Sequence, residues 1–140
     1  MAEKQIQERL VGYRLLESRL DALFNQRDLV ANKILEIQTT LESVDEISKS
    51  DEEILFPVGS EAYTFGRAVD KAKLIVEVGA GVALEKTVEE GKQILNKRKE
   101  ELQEVLQELL KNADEVAAAM ESLQTEIEGL ASKSEEPKAD

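Results

Sequence analysis

Two runs of apolar residues, one toward each end of the chain, repeat at alternating spacings of three and four, and no other feature limits the possible folds as much. In the first run Ile6, Tyr13, Leu16, Leu20, Leu23, Val30, Ile34, Ile37, Leu41 and Val44 hold the pattern, with Arg9 and Arg27 in the remaining slots. In the second run Val88, Leu95, Leu102, Leu106, Leu109, Ala113, Val116, Met120, Leu123, Ile127 and Leu130 hold it, with Lys92 and Lys99 filling the gaps. A repeat of about 3.5 residues keeps one stripe turned toward a partner helix for many turns, which is the signature of a left-handed coiled coil rather than of a globular surface helix. No proline interrupts either run, and Thr87 followed by Glu90 reads as a capping box that starts the second helix.

The spacing therefore predicts an N-terminal coiled-coil helix within 1–47 and a C-terminal one over 87–131. Residues 48–86 between them have a different texture. A polar linker from Ser48 to Glu53 leads into short β-prone stretches at Ile54 to Val58, Ala62 to Val69, Leu74 to Val78 and Val82 to Lys86. Gly59-Ser60, Asp70 to Lys73 and Gly79-Ala80-Gly81 supply turns, so the insert reads as two β-hairpins. Tyr63, Phe65 and Val69 alternate and are expected to share one strand face. Residues 132–140, charged and without large apolar side chains, read as a disordered acidic tail.

Two helices of similar length around a compact insert come back antiparallel most simply, as an arm of about 65 Å. If the helices are in register, facing positions sum to about 134, which sets Arg19 near Glu115 and Arg27 near Glu108. Residues 100–140 carry 12 acids against 3 bases, while the first helix holds Arg9, Arg14, Arg19 and Arg27. Charge complementarity of this kind favours the antiparallel orientation. The fold class is mainly α with a small β insert. Isolated hairpins are marginal and their open edges call for partner strands, so the insert reads as an oligomerisation module. Its candidate contact residues are Leu55, Phe56, Val58, Tyr63, Phe65, Val69, Leu74, Val76, Val78, Val82 and Leu84.

Composition excludes much of enzymology. The chain has 140 residues, no Cys and no His, which removes thiolate nucleophiles, imidazole bases and the usual zinc ligands. A net charge of −12 repels phosphate backbones, so nucleic acid is not an expected partner. No apolar run is long enough for a bilayer, and no apolar signal core opens the chain, which suggests a cytoplasmic protein. Gly79-Ala80-Gly81 lacks the βαβ context of a dinucleotide loop, and Asp51-Glu52-Glu53 lacks EF-hand spacing. Glu100-Glu101 and Asp114-Glu115 sit on a helix flank with no pocket to raise a carboxylate pKa. Lys97-Arg98-Lys99 is the one basic run. No catalytic residue, metal or cofactor is expected.

The insert also resembles a known family. Leu55-Phe56-Pro57-Val58-Gly59, Phe65-Gly66 with Asp70 downstream, Val76-Glu77-Val78-Gly79-Ala80-Gly81-Val82, and Glu85-Lys86-Thr87 leading into the second helix resemble the prefoldin family, in its archaeal-type α class. Two central hairpins rather than one mark that class. Ser60-Glu61-Ala62 departs from the glycine-richer turn of the family, and Gly91 stands where the family more often has Ala. The resemblance implies a jellyfish-shaped hetero-hexamer of two alpha and four beta subunits, with the hairpins forming a double β-barrel. It implies an ATP-independent holdase chaperone whose coiled-coil tips hold unfolded client proteins and pass them to a group II chaperonin. The tips would comprise Ile6, Leu10 and Val11 on the first helix and Met120, Leu123, Ile127 and Leu130 on the second. For any one of those residues the seam that closes the arm is the simpler role, and client binding rests on their position near the ends rather than on their identity. A filament-forming or scaffold relative built from the same hairpins is the alternative.

Overall fold

A computed structural model of the chain describes residues 1–49 and 51–135. In chain order these form helix α1 (Ala2–Lys49), strands β1 (Ile54–Gly59), β2 (Ala62–Gly66), β3 (Lys73–Gly79) and β4 (Val82–Thr87), and helix α2 (Val88–Glu135). The expected order is therefore observed, with shifted boundaries. Helix α1 runs two residues past 47. Helix α2 continues four residues into the segment read as a tail, and 136–140 lie outside the described residues. The start of α2 is fixed by local chemistry. The Glu90 amide donates to Thr87 Oγ1 (3.1 Å), but only that half of the capping box forms, because Glu90 Oε2 lies by Lys86 Nζ instead (4.0 Å). The Val88 amide also donates to the Ala72 carbonyl (3.0 Å), tying the helix start to the loop before β3.

The chain forms two compact units. The chain-end unit comprises Met1–Asn32 and Gln103 onward. Its core is Leu23, Ala113 and Val116, flanked by Leu16, Leu20, Phe24, Leu109 and Met120. Arg9 Nε donates to Glu126 Oε2 (2.8 Å), and Gly12 lies beside Leu123, so the two helices run antiparallel here. Facing positions sum to 135 at the Arg9–Glu126 and Gly12–Leu123 contacts rather than to 134. Arg27 does not reach Glu108. It pairs with its neighbour Asp28 (3.1 Å) and stacks over the Phe24 ring, 4.4 Å from the centroid.

The hairpin unit comprises Lys33–Leu102. Ile37, Leu41, Val44 and Val76 are its buried apolar residues. The two lysines in the seam of α2 both find partners on α1: Lys92 pairs with Asp45, and Lys99 Nζ donates to Gln38 Oε1 (2.9 Å). Each pair sums to 137; Asp45 meets the charge of Lys92, and the Gln38 amide oxygen accepts a hydrogen bond from Lys99. Across both units every seam position named from the sequence is buried or half-buried.

The hairpins are two separate two-stranded antiparallel sheets, β1–β2 and β3–β4. In the first, Leu55 faces Phe65 and Pro57 faces Tyr63; in the second, Val76 faces Leu84 and Ile75 faces Glu85. Strand β2 stops at Gly66, so Val69 is not on the strand face with Tyr63 and Phe65; it sits fully exposed in the following loop. There the Asp70 carboxylate accepts the Ala72 amide (2.9 Å), which turns the chain. Both hairpin turns place non-glycine residues in the left-handed region: Ser60 (φ 47°) and Glu61 (φ 65°) in one, Ala80 (φ 52°) in the other.

Candidate interaction surfaces

Each hairpin has one face committed to its own unit and one left open. In β1–β2, Ile54 and Phe56 are half-buried, and the Phe56 ring lies across Gly66 so closely that a Cβ there would come within 2.9 Å of two ring carbons. The opposite face carries Leu55, Pro57, Tyr63 and Phe65, an all-apolar and aromatic patch in which Tyr63 is 61% and Phe65 73% exposed. In β3–β4, Leu74 and Val76 turn inward. A Cβ on Gly91 would meet Leu74 Cδ1 at 2.7 Å, so the bare Gly91 backbone receives the Leu74 side chain. The residue that departs from the family's more usual Ala is thus a contact point between strand and helix. Val78, Val82 and Leu84 are exposed farther along the hairpin.

Of the hairpin residues named from the sequence, Leu55, Val58, Tyr63, Phe65, Val69, Val78, Val82 and Leu84 are open to contact, while Phe56, Leu74 and Val76 serve the unit itself. Ile75 was missed. It is 76% exposed on the outer face of β3, between the Lys73–Glu85 ion pair (3.5 Å) and Ala83. Because β3 is apolar on both faces at this point, alternation does not say which face is open.

The chain-end candidates also divide. Ile6, Met120, Leu123, Ile127 and Leu130 are half-buried in the seam, whereas Leu10 (37% exposed) and Val11 (57%) lie off it. Leu10, Tyr13 and Ile127 line a cleft of about 360 Å³ whose rim is Gln124 and Glu128. Leu15 and Leu29, absent from the sequence reading, are exposed apolar residues on the outside of α1. The signal for them is that they break the three-four spacing rather than extend it.

The remaining charged features are structural. Asp51 pairs with Lys71, whose ammonium holds its carboxyl below the ordinary carboxylate value, and Glu53 lies by Arg67 (3.9 Å). Lys92 likewise lowers Asp45 through their hydrogen bond, and Asp45 raises Lys92. In the basic run, Arg98 donates to the Glu77 carbonyl and Lys99 to Gln38, so only Lys97 is left to face a shallow cleft beside Lys86 and Glu90. Among the described residues no cluster of three or more His, Cys, Asp or Glu could hold a metal ion, and no helix is long and apolar enough to cross a membrane.

Two long helices that pair with each other, with two edge-open hairpins between them in the chain, define a coiled-coil subunit rather than a self-contained globular domain. A family model described as prefoldin subunit matches residues 16–133, and the chain belongs to the prefoldin family. It is 30% identical to prefoldin subunit alpha of Pyrococcus horikoshii over 131 residues, covering 86% of this chain and 88% of the relative. It is 26% identical to the alpha subunit of Methanosarcina mazei over 133 residues, 90% of this chain and 94% of the relative. A cryo-EM structure titled as filamentous PFD from Methanocaldococcus jannaschii matches the fold with a TM-score of 0.70 at 20% identity, over 86% of this chain and 98% of that one.

Proposed function

We propose that this chain is an alpha-type subunit of a cytoplasmic, ATP-independent holdase that captures unfolded proteins and delivers them to a group II chaperonin. The reading places assembly in the hairpin unit and capture in the chain-end unit. The observation that carries it is the accessible apolar surface of the chain-end unit: Leu10 and Val11 beside the Leu10–Tyr13–Ile127 cleft. An unfolded chain exposes scattered apolar side chains, and partial burial of one is worth about 1 kcal/mol. Several subunits acting on one client turn such weak contacts into useful avidity. On this reading the Leu55–Pro57–Tyr63–Phe65 face and the open strand edges are covered by prefoldin beta subunits, two alpha with four beta, and no catalytic step is involved. The test is light scattering from a denatured client diluted into the assembled complex without nucleotide. Suppressed scattering is expected; unchanged scattering overturns the reading.

A second reading is supported by the filamentous structural neighbour. The same open hairpin edges could continue subunit to subunit without closing. Native mass spectrometry separates the two, since a single closed hexamer mass supports the first and an open ladder of masses the second.

A further inference from the structure

The chain-end cleft is lined by Leu10, Tyr13 and Ile127 with one carboxylate, Glu128, beside them, and further carboxylates stand a heptad away along the same flank. Counting the seam from Ile6 and Tyr13 as heptad position a, Leu10 occupies position e of α1, and Gln124 occupies position e of α2. In an antiparallel pair the e positions of both helices border the same flank, and the cleft they share confirms it. One heptad to either side of Leu10 on α1 stand Glu3 and Glu17, and one heptad from Glu128 on α2 stands Glu121. None of these four carboxylates forms an ion pair among the described residues. The bases within a heptad are Lys4 and Arg14 on α1 and Lys133 on α2, at positions f, b and g rather than e, and Arg9, which is committed to Glu126 at 2.8 Å.

Resting on the holdase reading, we propose that this cleft selects unfolded segments in which a large apolar residue is followed or preceded closely by Lys or Arg. The apolar side chain enters between Leu10, Tyr13 and Ile127; the cation meets Glu128, with Glu17 and Glu121 supplying the surrounding field. The cleft is at the small end of ligand-site volumes, suited to one or two side chains rather than to a folded surface. A Lys or Arg also covers apolar surface with its stem while its head reaches the carboxylate. A segment with Asp or Glu in that place brings like charges together and loses affinity.

Two fluorescently labelled unstructured peptides of identical Leu and Phe content, one spaced with Lys and one with Glu, are titrated by anisotropy against the full assembled chain. The Lys peptide is expected to bind roughly two- to fivefold more tightly at low salt, the range set by exposed ion pairs, and to lose that advantage at high salt. Glu128→Gln should remove much of the difference between the two peptides. Equal affinities for the two peptides overturn the inference and leave the holdase reading standing. A preference that survives Glu128→Gln combined with Glu121→Gln overturns the assignment to this cleft. Failure of both peptides to bind overturns the holdase reading and the inference with it.

Discussion

Replacing Gly91 by alanine separates two opposing effects whose sizes can be worked from the structure. Gly91 lies in the first turns of α2, where alanine is favoured over glycine by about 1 kcal/mol. Its added Cβ would sit 2.7 Å from Leu74 Cδ1, nearly 1 Å inside the usual carbon–carbon contact of about 3.5–4.0 Å, and 3.4 Å from Leu74 Cβ. Leu74 Cγ would also lie only 3.6 Å away, so rotating the Cδ1 methyl aside relieves only part of the contact. Overpacking of this kind costs about 1–3 kcal/mol. The two effects leave Gly91→Ala destabilising by about 1 kcal/mol in the parent chain. In a Leu74→Ala background the obstruction is gone, and the same substitution should stabilise by about 1 kcal/mol. The coupling energy across the cycle is then about 2 kcal/mol, with a change of sign. Urea unfolding followed by circular dichroism, at one fixed protein concentration, reads all four variants. Equal effects of Gly91→Ala in both backgrounds would refute the packing of Leu74 onto Gly91.

Two other perturbations probe the hairpin unit. Glu61→Gly relieves a left-handed side chain (φ 65°) and should raise stability by roughly 0.5–1 kcal/mol, seen as a higher melting temperature; a lower one means that the turn is not strained as described. For the Asp45–Lys92 pair, the folded Asp45 carboxyl is held below its ordinary value near 3.8, so its contribution is present above that value and fades as pH falls through the lowered one. Lys92 is raised above 10.5, so its contribution is complete below 10.5 and fades as pH climbs through the raised value. Stability from this pair should be flat near neutrality, and Asp45→Asn should flatten the acid limb of a pH–stability curve; an unaltered acid limb rules the pair out as its source.

The seam was legible because a coiled coil repeats one instruction many times, and single exceptions such as Arg9 or Lys99 do not disturb the count. Its register was harder to read. Taking the helix edges at 47 and 87 gives a facing sum of 134, whereas the edges at Lys49 and Val88 give 137, the sum observed for Asp45–Lys92 and Gln38–Lys99. Small errors at helix ends thus shift the register by up to three residues. They do not account for Arg27, which with Glu108 satisfies the sum of 135 seen in their own unit, yet takes the nearer partners Asp28 and Phe24 on its own helix. The hairpins were legible from their turn residues. Their open faces were less so, since Ile75 and Val76 are adjacent, apolar and β-branched, and only packing decides that Val76 is buried and Ile75 exposed. Gly91 read only as a departure from Ala, because a sequence shows the missing side chain but not the leucine that occupies its place. At the chain ends the apolar residues were identified, but the cleft beside Tyr13 depends on which flank of the pair Leu10 occupies, a property of two helices together.

Strand β3 carries two messages in alternate letters. Leu74 and Val76 answer to Gly91 and the apolar residues of the hairpin unit, while Ile75 and Glu77 face away from them. Changes at the second set leave the first untouched, so a lineage can alter what this hairpin meets without rewriting how it folds. The same separation offers an engineer a handle: positions 75 and 83 can be varied as a library on the outer face, with Leu74, Val76 and Gly91 held constant as the hinge pin.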